Sequence, residues 1–146
     1  MSMIIHIQTQ VNQPTTRVFA GFNRELFLKL NPPGLSAKLI RFDGTHQGGL
    51  THLQINFIFF KQDWISLNTE FKNTLNEIFF VDEGQKLPFF LKTWRHKHRV
   101  LQIEQKSLII DEIQYSSSFK WMEILIYPLL YSVFYYRKHI YRSVFT

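Results

Sequence analysis

The sequence predicts an α+β fold in which a curved antiparallel β-sheet wraps around one long C-terminal helix. Two observations support this prediction. Strand-like segments of alternating polar and apolar residues follow one another from Ala37 to Tyr115, with only short turns between them. An apolar and aromatic segment with helical spacing then runs from about Phe119 to Phe145. A sheet of several such strands curls, and the long helix is the element that it can enclose.

The composition is typical of one folded domain, residues 1–146, with a substantial core. Hydrophobic residues make up 45% of the chain and charged residues 19%, which argues against disorder. The 15 phenylalanines either fill a core or line a roomy pocket. Because the chain has no cysteine, disulfides, thiol nucleophiles and thiolate metal sites are excluded.

The net charge of +6 raises the question of nucleic-acid binding. No nucleic-acid-binding motif accompanies this charge, so we expect no nucleic-acid partner. The N-terminal segment shows neither the basic region nor the long apolar stretch of a signal peptide. A cytoplasmic location is therefore expected.

The N-terminal part predicts a strand over Met3–Val11 and then a single helix. Asn12 offers a side-chain cap and Pro14 suits the first helical turn. The prolines after Asn31 should end this helix, because proline disfavours helical backbone in the residue before it. The predicted buried stripe consists of Val18, Phe19, Phe22, Leu26 and Leu30.

Six strands are predicted after this helix. Turn residues over 61–63 and at Asp82-Glu83-Gly84 separate some of them. The first four predicted strands are Ala37–Phe42, Leu50–Phe60, Trp64–Phe71 and Ile78–Val81.

The last two predicted strands each place polar side chains on an inward face. In the first of them, four residues alternate with Thr93, Arg95, Lys97 and Arg99, whose charged side requires water. The inward residues are Trp94, His96, His98 and Val100. The corresponding face of the second strand carries Ile109, Asp111, Ile113 and Tyr115. Two such faces beside an apolar helix predict a cavity that contains a few fixed polar groups.

The C-terminal helix is more apolar than one buried stripe requires. Its uncharged part is too short to span a bilayer, and Pro128 should kink it. The residues left outside the stripe suggest contact with a second copy of the chain or with a membrane surface. The stripe expected to face the sheet is Met122, Ile126, Leu129, Val133, Tyr136 and Ile140.

Three motifs resemble those of the SRPBCC superfamily, which includes START domains, Bet v 1-like proteins and polyketide cyclase/dehydrase-like proteins. They are Trp94-Arg95-His96-x-His98, Ile110-Asp111-Glu112-Ile113-x-Tyr115 and Phe134-x-Tyr136-Arg137. The segment from Phe80 to Phe89 is similar to one in a bacterial cyclase/dehydrase-like branch. The resemblance implies a helix-grip fold around a hydrophobic cavity. The chain departs from the pattern at Ser116-Ser117-Ser118, where relatives tend to have a Pro-Gly turn.

The function predicted from these features is the binding of a small hydrophobic, lipid- or polyketide-like molecule in the cavity, as a carrier or sensor. Burial of apolar surface supplies affinity, and buried polar groups reject ligands that leave them unpaired. The residues expected to orient a polar end are His96, His98, Asp111 and Tyr115. The expected apolar wall consists of Phe57, Phe59, Trp94, Val100, Ile113, Ile126, Leu129 and Val133.

Two other functions remain open from the sequence. His96 and Asp111 could transfer protons in an enzyme of the cyclase/dehydratase kind, because a neighbouring carboxylate makes an imidazole a stronger base. Alternatively, phenylalanine rings could fill the cavity, and the aromatic helix face could bind a protein partner.

A metal site is a further hypothesis for the two histidines. His96 and His98 could both bind one ion from the same strand face, with an oxygen from Asp111. The additional acidic residue and the later histidine that such a pattern needs do not follow at suitable positions. We therefore expect neither a metal ion nor another cofactor.

Overall fold

The computed structural model describes residues 2–146, which form seven strands and three helices. The strands are β1 (Met3–Val11), β2 (Ala37–Phe42), β3 (Leu50–Asn56), β4 (Lys61–Asn73), β5 (Glu77–Lys86), β6 (Thr93–Ile103) and β7 (Lys106–Ser116). The helices are α1 (Thr15–Ala20), α2 (Arg24–Leu30) and α3 (Lys120–Val144).

All seven strands form one antiparallel sheet in the order β1-β7-β6-β5-β4-β3-β2. The register of β4 against β5 shifts twice, between Ile65 and Ser66 and between Asn68 and Glu70. Such bulges increase the local bend and twist of a sheet. The sheet curves around α3, which lies against β1 and β7. The predicted helix-grip architecture is confirmed.

The N-terminal helix differs from its prediction, because two short helices replace one. Gly21 ends α1, and a Cβ at this position would lie 2.5 Å from the Phe145 ring, so a larger residue would displace this ring. The Asn23 side chain accepts a hydrogen bond from the Leu26 backbone N–H and caps α2. Asn12 does not cap a helix; Pro14 occupies the position before α1.

Two strand boundaries also differ from the prediction. β3 ends at Asn56, and the apolar residues 57–60 form the turn, closed by a 2.8 Å hydrogen bond from the Phe57 N–H to the Phe60 carbonyl. Lys61, predicted as a turn residue, is the first residue of β4. β5 continues through Asp82-Glu83-Gly84 to Lys86, so this segment is strand and not turn.

The core consists of two apolar clusters that α3 joins. One cluster lies between α1, α2 and the end of α3, and it contains Val100 beside Val18 and Tyr141. The second lies under the first half of α3 and contains Ile113 and Tyr115. The predicted inward faces of β6 and β7 are confirmed, because all of their residues are buried. They are Trp94, His96, His98 and Val100 on β6, and Ile109, Asp111, Ile113 and Tyr115 on β7.

The helix α3 packs through a different stripe from the predicted one. Its buried residues are Glu123, Leu130, Phe134 and Tyr141. This face lies roughly a quarter turn away from the predicted stripe, at 3.6 residues per turn. Met122, Ile126, Leu129 and Val133 of that stripe line a cavity, so they remain partly or largely exposed. None of the helices within residues 2–146 is long and apolar enough to cross a membrane.

Replacing Asn23 with Ala should lower the free energy of unfolding by about 1 kcal/mol, because the first turn of α2 loses its side-chain cap. Asn12→Ala is the matched control and should leave stability within about 0.5 kcal/mol, because Asn12 is exposed and caps nothing. Chemical denaturation of both variants measures the difference. Equal effects would contradict the assignment of the cap to Asn23.

Candidate functional site

A cavity of about 550 Å³ lies between the concave face of the sheet, α2 and α3. This volume is typical of pockets that hold small molecules. It exists because α3 lies over β1 and β7 and leaves the β2–β4 side of the sheet uncovered. Its largely apolar wall includes Phe27, Leu30, Leu39, Leu53, Trp64, Phe80, Ile126 and Val133.

Seven of the twelve residues predicted to bind a ligand lie on this cavity wall. They are Phe57, Trp94, His96, His98, Ile126, Leu129 and Val133. The structure brings these residues together from β6, the β3–β4 turn and α3. Their role in binding stays a prediction.

The other five lie elsewhere, for reasons of packing. Phe59 belongs to the β3–β4 turn and is 93% exposed. Val100 and Ile113 are enclosed in the two apolar clusters. Tyr115 donates a hydrogen bond of 2.8 Å to the Glu123 carbonyl and so connects β7 to α3. Asp111 is buried and does not border the cavity, but it contacts a residue that does.

The polar residues of the wall form two pairs of histidine and aspartate. His96 Nε2 lies 2.7 Å from Asp111 Oδ1, and His98 Nε2 lies 2.6 Å from Asp82 Oδ2. The Trp94 indole N–H donates to the other oxygen of Asp82 at 3.2 Å. The two imidazole rings lie side by side with their centroids 3.5 Å apart. Nearly every buried polar atom in this group therefore has a partner, as burial requires.

The charge states of this cluster follow from its surroundings. Burial, together with the adjacent His96, lowers the pKa of His98 to about 4, so this imidazole is neutral at neutral pH. Burial alone would raise the pKa of Asp82, but the hydrogen bond from His98 and the nearby imidazoles lower it overall. The pKa of Asp111 is likewise lowered, against the effect of burial, by His96 and Arg137. Both carboxylates are thus ionised beside two imidazoles.

The sequence did not indicate two charged residues of the site, Asp82 and Arg137. Asp82 was assigned to a turn, whereas it lies in β5 directly opposite His96. Ile78, Phe80 and Asp82 alternate inward, and this pattern was the available signal. Arg137 was noted in the sequence as part of the motif Phe134-x-Tyr136-Arg137, without a role in the site.

Arg137 instead lines the cavity and has a side chain that is only 13% exposed. Its guanidinium lies 4.3 Å from the Phe134 ring centroid and 3.7 Å from Asp111 Oδ1. Among the described residues, its Nε and Nη1 atoms have no hydrogen-bond partner, and neither does the buried Tyr141 hydroxyl. Asp111 therefore carries the compensating charge for a cation at the cavity wall.

An Asp111→Asn variant should lose about 3 kcal/mol of stability, because Arg137 would keep its buried charge without a counter-charge. The exposed pair of Glu70 and Lys72, 3.9 Å apart, gives a matched control. Glu70→Gln should change stability by less than about 1 kcal/mol. Urea denaturation with folding confirmed by circular dichroism measures both, and similar losses would show that Asp111 has no special structural role.

A curved antiparallel sheet that holds a C-terminal helix around an open, mainly apolar cavity defines a helix-grip protein. No protein-family model matches the sequence, and no curated protein matches it. Solved structures do match, and they show that the chain has the helix-grip, or Bet v 1-like, fold. All of the matches described below have identities far below those that would establish a shared function.

Three solved structures illustrate the match. An aromatase/cyclase from a Streptomyces species superposes with a TM-score of 0.71 at 8% identity, covering 97% of this chain and 92% of its own. Norcoclaurine synthase from Thalictrum flavum, in complex with dopamine and hydroxybenzaldehyde, gives 0.64 at 12% identity and coverages of 96% and 87%. Ara h 8.0201 gives 0.60 at 10% identity and coverages of 97% and 98%.

Proposed function

We propose that the protein binds a small, largely hydrophobic molecule in the cavity, as a carrier or sensor. The observation that carries the proposal is the cavity of about 550 Å³, whose apolar wall is interrupted by one polar cluster. Burial of roughly 200 Å² of apolar ligand surface contributes about 5 kcal/mol before the costs of association. A loosely matched apolar molecule therefore gains useful affinity here.

The open volume between the sheet and α3 argues against the alternative function of a protein-interaction module, in which phenylalanine rings would fill the cavity. Phe57, Phe89 and Phe90 line the cavity and contact one another. Phe80 stacks on the His98 ring at 4.1 Å and lies flat along the wall. These rings line the space and leave its volume open to a ligand.

An enzyme of the cyclase/dehydratase kind is the second candidate. The specific observation in its favour is the buried pair of His96 and Asp111, since His96 borders the cavity. The solved structures of an aromatase/cyclase and of norcoclaurine synthase show that this fold can carry an active site. Native mass spectrometry separates the two candidates, because a carrier releases its ligand unchanged. An enzyme would convert that ligand, and His96→Ala would abolish the conversion.

Replacing Leu53 with Trp should weaken the binding of an apolar fluorescent probe, anilinonaphthalene sulfonate, by about tenfold or more. Leu53 lines the cavity, so the added ring occupies ligand volume. The neighbouring residue Gln54 does not line it, and Gln54→Trp is the matched control with an unchanged affinity. Probe titration of the folded variants gives the comparison. Equal affinities in all three proteins would exclude the cavity as the binding site.

The rim of the cavity supports an anionic membrane surface as the source of the ligand. Ile58 and Phe59 are each 93% exposed, and Phe89 and Trp121, which line the cavity, are more than half exposed. The β3–β4 turn, the β5–β6 loop and the start of α3 bring these residues to one end of the molecule. Three exposed lysines lie in or directly beside these segments: Lys61 begins β4, Lys92 belongs to the β5–β6 loop and Lys120 begins α3. Apolar rings beside lysines are the combination that binds anionic bilayers.

The double replacement Ile58→Ser with Phe59→Ser should reduce binding to phosphatidylcholine vesicles containing phosphatidylglycerol by at least about tenfold. Leu75→Ser is the control, because Leu75 is also 93% exposed but lies in the β4–β5 turn at the opposite end of β4. Vesicle co-sedimentation measures the binding. If both variants sediment as the unmodified protein does, the rim has no membrane role. Dimers that dissociate only in the double variant, seen by light scattering, would identify a second copy as the partner instead.

A further inference from the structure

We propose that Asp82, His96 and His98 form a binding site for one divalent transition-metal ion of the Zn²⁺ class, open toward the cavity. The proposal is independent of the hydrophobic ligand. One potential ligand atom of each residue lies within 4.8 Å of the others. The acidic ligand that the sequence pattern lacked is Asp82, which the structure places in β5 opposite His96.

The distances between the potential ligand atoms fit an ion after small shifts. Asp82 Oδ2 lies 2.6 Å from His98 Nε2 and 3.7 Å from His96 Nδ1. Ligand atoms at the usual distances around tetrahedral Zn²⁺ are about 3.3 Å apart. The carboxylate would move away from His98 and toward His96, each by less than about 1 Å. No change in the backbone register of β5 and β6 is required.

The hydrogen bonds behind the three residues orient them as metal ligands. His96 Nε2 donates to Asp111, so the lone pair of its Nδ1 atom points to the side where Asp82 lies. His98 Nδ1 is buried, has no hydrogen-bond partner among the described residues and lies 4.0 Å from Asp111 Oδ1. When His98 Nε2 binds an ion, its proton moves to Nδ1, and a shift of about 1 Å from the present 4.0 Å would let Asp111 Oδ1 accept a hydrogen bond from this N–H. The Trp94 N–H holds the second oxygen of Asp82.

The balance of charge also favours a cation over an anion at this position. The cluster contains two carboxylates, and Arg137 approaches only Asp111 within 4.0 Å. Among the described residues, no lysine or arginine nitrogen lies within 4.0 Å of Asp82, whose only basic neighbours at that distance are the two imidazoles. A divalent ion supplies this charge, and imidazole ligands favour Zn²⁺, Co²⁺ or Fe²⁺ over Mg²⁺ or Ca²⁺.

The site would keep at least one coordination position free of protein ligands. Asp82, His96 and His98 all border the cavity, and three protein ligands with an open position are typical of metal sites that act on a bound molecule. Water or a polar atom of a cavity ligand would take the open position. The metal would then lie where a ligand's polar group meets the wall.

The test is a titration of the full chain, freed of metal by a chelator and dialysed, with Zn²⁺ or Co²⁺ alone. Calorimetry should give one Zn²⁺ per chain, and one equivalent of Co²⁺ should produce visible absorption bands. Asp82→Asn and His98→Gln should abolish this binding. Asp111→Asn should weaken it about 10- to 100-fold through the orientation of His96.

His52 and Asp63 provide the matched control, since they form a similar 2.9 Å pair outside the cavity. His52→Gln should bind the metal as the unmodified protein does. Absence of stoichiometric binding by the unmodified protein would overturn the proposal without any variant, as would binding lost equally in His52→Gln. Because anilinonaphthalene sulfonate binding by metal-free protein tests the cavity separately, either proposal can fail alone.

Discussion

The rest of the structure depends on the way α3 packs through only one stripe of its surface. Leu130, Phe134 and Tyr141 join the apolar clusters, while the neighbouring stripe faces open space. A bundle would close this gap with another helix, but here α2 and the strands β3 and β4 enclose it. The aromatic residues of the chain therefore line the cavity, because wide rings can cover its wall without filling it. The cavity is a consequence of where the helix lies, and its shape follows from the curvature of the sheet.

The polar cluster places a second constraint on the same fold. Two carboxylates and two imidazoles in an apolar wall are stable only while they contact one another. Asp82 comes from β5, both histidines come from β6 and Asp111 comes from β7, so the pairs hold three strands in one register. A slip of one residue would reverse the face of each side chain and leave several charges unpaired. The cluster thus fixes the geometry of the wall at the point where a ligand would meet it.

Much of the architecture could be predicted from alternation alone, and the errors have a common physical cause. The inward face of β6 was predicted correctly because Thr93, Arg95, Lys97 and Arg99 alternate with it and need water, and the β7 face followed from the same alternation beside it. Asp82-Glu83-Gly84 was predicted as a turn from its composition, but cross-strand pairing with β6 keeps it extended. Residues 57–60 were predicted as strand from their hydrophobicity, although they form an exposed turn. The local preference of a segment for strand or turn decides its structure only where pairing with neighbouring strands does not favour the other outcome. Arg137 was missed because a one-dimensional pattern does not show which helix stripe borders a cavity.

The partners already present within the polar cluster limit what the cavity can recognise. Asp82 and Asp111 both accept hydrogen bonds from imidazoles, so neither carboxylate depends on a hydroxyl group of a ligand for a partner. The unmet needs are different, namely an acceptor for the Arg137 guanidinium and a cation between Asp82 and the imidazoles. An anionic oxygen on an apolar molecule would accept a hydrogen bond from Arg137, and such an oxygen would also suit the open position of a metal ion held by Asp82, His96 and His98. Selectivity in this cavity would then come from the polar end of the ligand, while the apolar wall would supply affinity with little discrimination.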